Sequence, residues 1–504
     1  MGWGNWLLWL SLCLSAATMF LWRKRDYKTR KTCSRRLPPG PRVWPLVGNL
    51  LDLGFNSPPH QTLALLSQKY GPLMWLKLGA VDTVVVSSSE AATSLFKEND
   101  MSFVGRAINE AMRSHDYDKG SLVVAQYGPR WQMLRRLCVS ELIHTKQLNE
   151  TMPVRMKCVD DMIRWIKEET GSIEVAQYVF MAIFNMMGNV ILSRDLVEPK
   201  SELGAKFFCS MRGLIELMGI PNVSDFFPFL RWLDPQGIKG KVDQEVGRAL
   251  EIVDGFIKER IQSRCSGQSD NRRKDFLDVV LEFESGKEES QDVSGNGLKI
   301  FILEIFMAAT DTTNSTIEWA MVELLRNPAT MHKAQVELIE VVGQKRKVEE
   351  SAIDRLHYLK AVAKETMRLH PPVPLLIPRR AVKDVEFMGY FIPKDTQLLV
   401  HAWALGREPM RWDDPLSFKP ERFSNVDLDY HGQHFQFIPF GAGRRMCAGV
   451  ALAERLVLFI LGSLIHSFDW VFDGAPESMD MGEKIGVSLR KSVPLKATPV
   501  PHNA

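Results

Sequence analysis

Phe440-Gly441-Ala442-Gly443-Arg444-Arg445-Met446-Cys447-Ala448-Gly449 sets one cysteine in a turn built from glycine and arginine. Gly441, Gly443 and Gly449 permit backbone angles and close approaches closed to residues with a Cβ. Arg444 and Arg445 bring positive charge, which favours thiolate over thiol. The run that follows, Val450 to Leu458, is a strong helix former. Cys447 is therefore expected just ahead of a helix N-terminus, where the macrodipole also favours an anion.

A thiolate can be a nucleophile, a redox switch or a metal ligand. Nucleophilic catalysis calls for a base, and the nearby His431 and His434 lie in a polar loop with no evident orienting partner. Zinc needs three or four ligands, and no other Cys or His stands at zinc spacing. A lone axial thiolate suits heme iron, because the porphyrin supplies the other ligands. Taken bare, the residues leave a buried structural cysteine and a heme ligand both open. The spacing F-x-x-G-x-R-x-C-x-G, carried by Phe440, Gly443, Arg445, Cys447 and Gly449, matches the heme-thiolate signature at each fixed position. On that match the chain resembles the cytochrome P-450 family. The resemblance implies heme b, with Cys447 as the axial iron ligand.

Phe306-Met-Ala-Ala-Thr-Asp-Thr-Thr313 lies inside a long apolar helical pattern. Asp311 and Thr312 are poor choices for a helix interior, since their side chains compete for backbone hydrogen bonds. Ala308 and Ala309 clear space beside them, making a notch for a small ligand; a solvent-facing polar patch is the competing reading. In the family this stretch is Ala/Gly-Gly-x-Asp/Glu-Thr-Thr/Ser. The resemblance implies that Thr312 hydrogen-bonds dioxygen at the heme and that Asp311 relays protons. Ala309 stands where glycine is usual, which puts the shape of the notch in question.

Glu365 and Arg368, three apart on a helix, are on their own an ordinary surface pair worth a few tenths of a kcal/mol. The family pattern implies instead a buried lock of Glu365, Arg368 and Arg422, without chemistry of its own. Burying carboxylates such as heme propionates calls for basic donors. Trp131 and Arg135 sit one turn apart on one face, and the resemblance assigns them, with Arg379 rather than Arg380 and with Arg445, to the propionates. By family position the substrate pocket draws on 103–122, 206–220, 301–309, 373–376 and 485–487, including Ile305, Ala308, Ala309, Val373, Leu376, Ile485 and Val487. The last three of these segments are mainly aliphatic, so a small apolar guest is expected.

The chain has 504 residues, 45% hydrophobic and 24% charged, the composition of a globular protein. A net charge of +3 gives no reason to expect nucleic acid as a partner. Seven cysteines at 13, 33, 138, 158, 209, 265 and 447 show no disulfide framework, as in a reduced, cytosol-facing domain. Trp3 to Trp22 is an uncharged run of spanning length with aromatic ends. No Lys or Arg precedes it and eight follow between Arg23 and Arg36, which favours a signal-anchor over a cleaved signal peptide. The positive-inside rule then leaves the bulk of the chain in the cytosol. The sequons at Asn149, Asn222 and Asn314 are on that reading accidental. Residues 1–22 are expected as a transmembrane anchor and 23–41 as a basic, proline-rich linker ending in Leu37-Pro-Pro-Gly-Pro41. A single catalytic domain is expected over 42–504.

Short β-rich runs at 73–78 and 83–87 and segments over 380–401 accompany helical patterns at 129–146, 151–170, 174–193, 203–218, 241–264, 298–326 and 352–370. Many helices with a minor sheet and no βαβ alternation describe a mainly α domain, as the family fold does. His401-Ala-Trp-Ala-Leu-Gly-Arg407 and Pro420-Glu-Arg-Phe423 resemble plant microsomal members. His115-Asp-Tyr-Asp-Lys-Gly120 and the stretch from Asp225 to Gly237 resemble the plant subgroup with geraniol and iridoid oxidases. The resemblance implies a monooxygenase at the endoplasmic reticulum membrane, single-pass, oxidising a terpenoid with O2 and with electrons from NADPH passed by a reductase. Arg136, Arg444 and Arg455 are the expected docking cations. An alkaloid or phenolic oxidase is the nearest alternative. From other classes come a heme-thiolate isomerase or dehydratase that uses no O2, which the Asp311–Thr312 pair argues against, and a non-catalytic heme protein.

Overall fold

The computed structural model describes residues 36–54, 57–197, 202–265, 274–285, 296–424 and 426–502. The anchor at 1–22 and most of the linker lie outside them.

The helices are α1 (Pro59–Tyr70), α2 (Ser89–Glu98), α3 (Pro129–Cys138), α4 (Met152–Glu168), α5 (Val175–Leu192), α6 (Glu202–Met218), α7 (Ile238–Cys265), α8 (Phe276–Ser285), α9 (Gly297–Arg326), α10 (Pro328–Val342), α11 (His357–Leu369) and α12 (Val450–Ser467). Among them run β1 (Leu73–Leu78), β2 (Val81–Val86), β3 (Gly105–Arg106), β4 (Ile173–Glu174), β5 (Arg379–Arg380), β6 (Val385–Phe387), β7 (Tyr390–Ile392), β8 (Gln397–Val400), β9 (Phe468–Val471), β10 (Glu483–Ile485), β11 (Leu489–Lys491) and β12 (Lys496–Pro501). The mainly α architecture with small sheets is the one expected.

α9 runs through the middle, touching α5, α7, α11 and α12. It is apolar nearly all round, as a helix covered on all sides must be. Asn327 ends it: its φ of −122° and ψ of 74° are extended, as the residue before Pro328 prefers. α5 and α12 have the length and hydropathy of membrane spans but are mostly buried, and so serve as core helices. The main sheet has the order β1-β2-β8-β5-β3; β1–β2 is an antiparallel hairpin and β2–β8 a parallel pair. In it Arg106 of β3 stands opposite Arg379 of β5.

The proline-rich end of the expected linker is docked on this sheet. The Pro39 carbonyl accepts the Trp75 N–H at 2.8 Å, and a Cβ at Gly40 would overlap the Trp75 carbonyl. Asn222 is buried and caps the turn at Val223, accepting the Ser224 N–H at 2.9 Å.

Candidate active site

The loop before α12 carries Cys447. Gly441 and Gly443 have φ of 72° and 69°, and a Cβ on Gly443 would come within 2.5 Å of Asp100 Oδ1. Gly449 differs from expectation: its φ of −85° is ordinary, and a Cβ there would meet Cys447 Sγ at a comfortable 3.8 Å. Its N–H donates to Sγ at 3.3 Å, while the Cys447 N–H donates to the Phe440 carbonyl at 3.0 Å. The thiol lies deep within the protein yet Cys447 is not covered by its neighbours, so it borders an interior cleft.

The charge balance at the thiol also differs from the sequence reading. Burial pushes the Cys447 thiol up from its ordinary value, opposed by the Gly449 N–H and Arg135. Arg444 and Arg445 do not supply the favourable charge. The Arg444 N–H and guanidinium both bind Asp100 at 3.1 Å, and Arg445 donates to the carbonyls of Val104 and Ala125 at 3.2 and 2.7 Å. A bound cation deprotonates such a thiol outright.

Across the cleft, every residue of α9 from Ile300 to Ser315 is buried except Ile305, Ala308, Ala309 and Thr312, which share one face, and Asn314 on another. Ile305 and Ala309 pack against the same buried core as Ala448, Leu122, Ile377 and Val487. Thr312 Oγ1 donates to the Ala308 carbonyl at 2.8 Å. Asp311 points away from solvent: it accepts from Ser488 Oγ at 2.6 Å and is ion-paired with Arg490. Those two partners sit on and beside β11, whose hairpin with β10 carries Ile485 and Val487. Leu376 has a φ of 48°, unusual for a residue with a Cβ and typical of functional segments. It reaches the Cys447 loop, 3.7 Å from where a Cβ on Gly441 would stand. Val373 and Ile485 are half-buried.

The remaining basic residues converge behind the loop. Arg135 donates to the Met446 carbonyl at 2.8 Å. Arg379 donates to Asp100 at 2.7 Å and to the Ala442 carbonyl at 2.9 Å. The Trp131 indole N–H, expected on a propionate, donates to the Leu122 carbonyl at 2.8 Å, and the Arg445 guanidinium lies 4.5 Å above its ring. The sequence reading missed Arg106, buried and bound to the carbonyls of Val123 and Ile377 at 2.9 and 2.7 Å. Burial, then Arg379 and Arg445, depress its pKa; burial and Arg379 lower that of Arg445 to about 10. Its signal was a single arginine in the apolar run Phe103 to Ile108. Arg106, Arg379 and Arg445 thus repel one another; Asp100 is shared between Arg379 and Arg444, Glu304 offsets Arg106 only in part, and Arg445 Nη1 is buried without a partner. A carboxylate-bearing group fits that excess of positive charge, and the cleft beside the thiol fits its apolar body.

Arg368 donates to Glu365 through Nε at 2.6 Å and Nη2 at 2.7 Å, and Arg422 Nε reaches the same carboxylate at 3.0 Å. Of the expected docking cations, Arg136 is exposed, while Arg444 is paired with Asp100 and Arg455 with Glu350.

A family model described as cytochrome P-450 matches residues 38–497. Cytochrome P-450 76A2 of Solanum melongena is 47% identical over 497 residues, covering 97% of each chain. Iridoid oxidase of Catharanthus roseus is 44% identical, covering 94% of this chain and 93% of its own. Geraniol 8-hydroxylase of the same plant is 41% identical over 95% of this chain and 96% of its own. Among solved structures, a zebrafish cytochrome P-450 with progesterone superposes with a TM-score of 0.76 at 25% identity, covering 89% of this chain and all of that one.

Proposed function

The chain belongs to the cytochrome P-450 family, and from that premise we propose that it oxidises a small apolar monoterpenoid or iridoid. Its class is heme-dependent monooxygenase, with heme b as cofactor. Bound in the cleft, heme b supplies the iron at which O2 is activated. Cys447 Sγ would hold that iron, and Arg445, Arg135, Arg106, Arg379 and the Trp131 ring would surround the carboxylates. Support comes from the unpartnered Arg445 Nη1 and from the accessible Cys447 thiol.

The observation that carries the substrate reading is the accessible stripe of Ile305, Ala308, Ala309 and Thr312 on a mostly buried helix. It offers an apolar wall and one hydroxyl, which suits an apolar guest with a single polar end. Leu376, Val373, Ile485 and Val487 would supply the facing walls. The names of the iridoid and geraniol relatives support the same class. Thr312 would hold a proton at Oγ1 for oxygen reduction. Asp311, tied to the partly exposed Arg490, would connect that hydroxyl to solvent. Assayed with NADPH, a plant reductase and a panel of monoterpenols and iridoids, the protein is expected to hydroxylate at least one of them. Thr312→Ala is expected to cut product per NADPH by about tenfold or more while hydrogen peroxide rises, as for loss of a proton-positioning group. Product and NADPH still matched one to one would remove the role of Thr312.

Electrons would enter from a reductase docked near Arg136. The membrane reading has support outside the anchor. Trp232 is 81% exposed and Phe229 and Leu46 are each 68% exposed, with Trp44 and Leu51 beside them in sequence. The Phe226 carbonyl accepts the Ala80 N–H at 2.7 Å, and Gly48 bridges to Leu78 at the other side of the same hairpin turn, so these apolar groups cluster at one end of β1–β2. A patch of this kind on a chain with an adjacent anchor would sink into the lipid interface of the endoplasmic reticulum. In hydroxyl-radical footprinting of the full chain in lipid nanodiscs, Trp232 is expected to be protected at least severalfold relative to detergent-free protein, while the equally exposed Met410 (89%) keeps its rate. Equal oxidation of both would overturn the lipid contact.

A further inference from the structure

Glu304 is a buried carboxylate that none of the roles above uses. It is 5% exposed on α9 amid Ile300, Phe301, Ile302, Leu303, Phe306 and Met307, where an unpaired charge would be severely penalised. Its oxygens accept the Ser121 hydroxyl, the Leu122 N–H at 2.6 Å and the Val123 N–H at 3.1 Å. The Tyr117 hydroxyl donates to the neighbouring Met307 Sδ at 4.0 Å. Ser121 Oγ in turn accepts the N–H groups of Val123 and Val124 at 3.0 and 2.8 Å. Among the described residues, the amides of Leu122, Val123 and Val124 have Glu304 and Ser121 as their partners and join no strand or helix. The amide side of this loop is therefore held by one carboxylate and the serine bound to it.

The same loop lies against the core that backs the cleft. Leu122 and Val123 are half-buried and pack on the same buried cluster as Ile305, Ala309, Ile377 and Ala448. Its other side is fixed through carbonyls: Leu122 to Trp131, Val123 to Arg106 and Ala125 to Arg445. Glu304 and Asp311 are seven residues apart, hence within about 20° of one another around the helix. Each clips a different wall to α9, Glu304 the 121–124 loop and Asp311 the β10–β11 hairpin.

We propose that Glu304 is a specificity-positioning residue: its carboxylate fixes the backbone of Ser121–Val123, and so sets where Leu122 and Val123 press on the substrate. This rests on the cleft between Cys447 and α9 being the substrate site. Glu304→Gln is nearly isosteric but places an NH2 against amide donors, whereas Glu304→Asp keeps the charge on a shorter arm. Ser121→Ala removes one donor and leaves the carboxylate.

The test uses the heme-loaded full chain. Amide exchange over 121–124 is expected to accelerate about ten- to a hundredfold in Glu304→Gln, the effect of losing charged hydrogen bonds, with exchange in α12 unchanged. The carbon monoxide band of the reduced protein stays at its thiolate position. With a turned-over monoterpenol, KM rises more than kcat falls and the ratio of regioisomeric products shifts severalfold. Glu304→Asp restores part of each, and Ser121→Ala moves each in the same direction by less. Unaltered exchange at 121–124 in Glu304→Gln overturns the proposal, as does accelerated exchange with wild-type product ratio and KM. Should Glu304→Gln fail to retain heme, Ser121→Ala decides by the same readings. The exchange measurement needs no substrate, so a panel without a substrate counts against the monoterpenoid reading alone.

Discussion

Cys447→Ser is expected to abolish the red-shifted carbon monoxide band of the reduced protein and to lower turnover by at least about a thousandfold, more than the 10–100-fold typical when a residue supporting a metal ligand is lost. Serine fits the loop. It keeps the Cys447 N–H bond to Phe440, and the glycine turns at 441 and 443 are untouched. The fold should therefore survive, and the change reports ligation alone. What serine loses is the soft thiolate, because an alkoxide is far harder to form in a site where burial already pushes the thiol itself upward. Circular dichroism checks the fold and the reduced difference spectrum reads the ligand. A red-shifted band in the serine variant would show that another group holds the iron.

The largest loss of stability is expected from Glu365→Ala. Arg368 is fully buried, and besides Glu365 it donates to the carbonyls of Gly406, Pro415 and Ser417 at 2.6, 2.7 and 3.1 Å. Removing the carboxylate strands that charge, at a cost of about 3–5 kcal/mol. It also frees the Lys419 N–H, held by Glu365 at 2.8 Å. The segment so released leads through Trp412, Phe423, Tyr430 and Phe437 to Phe440 and Met446 of the cysteine loop. Heme retention should fall together with stability. Arg422→Ala should cost less, about 1–2 kcal/mol, because Arg422 is partly exposed and leaves the inner pair intact. Replacing Glu365 and Arg368 together by Leu and Met should not restore stability, since the Gly406 and Pro415 carbonyls would still lack their donor. Urea unfolding of the loaded protein gives the order; equal midpoints for wild type and Glu365→Ala would remove the lock from the stability account.

The cysteine loop and α9 were legible because their signals are local: a fixed spacing of glycine, arginine and cysteine, and an apolar helix broken by Asp311 and Thr312. The small sheets were only partly legible. β3 and β5 are two residues long and pair across a long stretch of sequence, and β10 and β11 are a hairpin of three-residue strands, so no alternation marks them. α10 was hidden by its own boundary, for Pro328 both stops α9 and supplies the first turn of the next helix. Ser88 caps α2 through the Ala91 N–H at 3.1 Å, a signal present in the sequence and left unread. Glu304 looked like one acid in a mostly apolar run; its partners lie 181 to 183 residues upstream, where no periodicity could find them. The donors around the cleft were identified by type, but which N–H binds which carbonyl is settled only by packing, as Trp131 and Leu122 show.

The pairing of β3 with β5 places Arg106 directly across from Arg379, and like charges at such positions oppose association of the strands. The polypeptide therefore folds against a built-in repulsion that a dianionic guest relieves. Such a guest binds the native chain and not the unfolded one, so it acts as a thermodynamic chaperone. The supply of porphyrin is then expected to set how much of this protein accumulates as well as how much of it works.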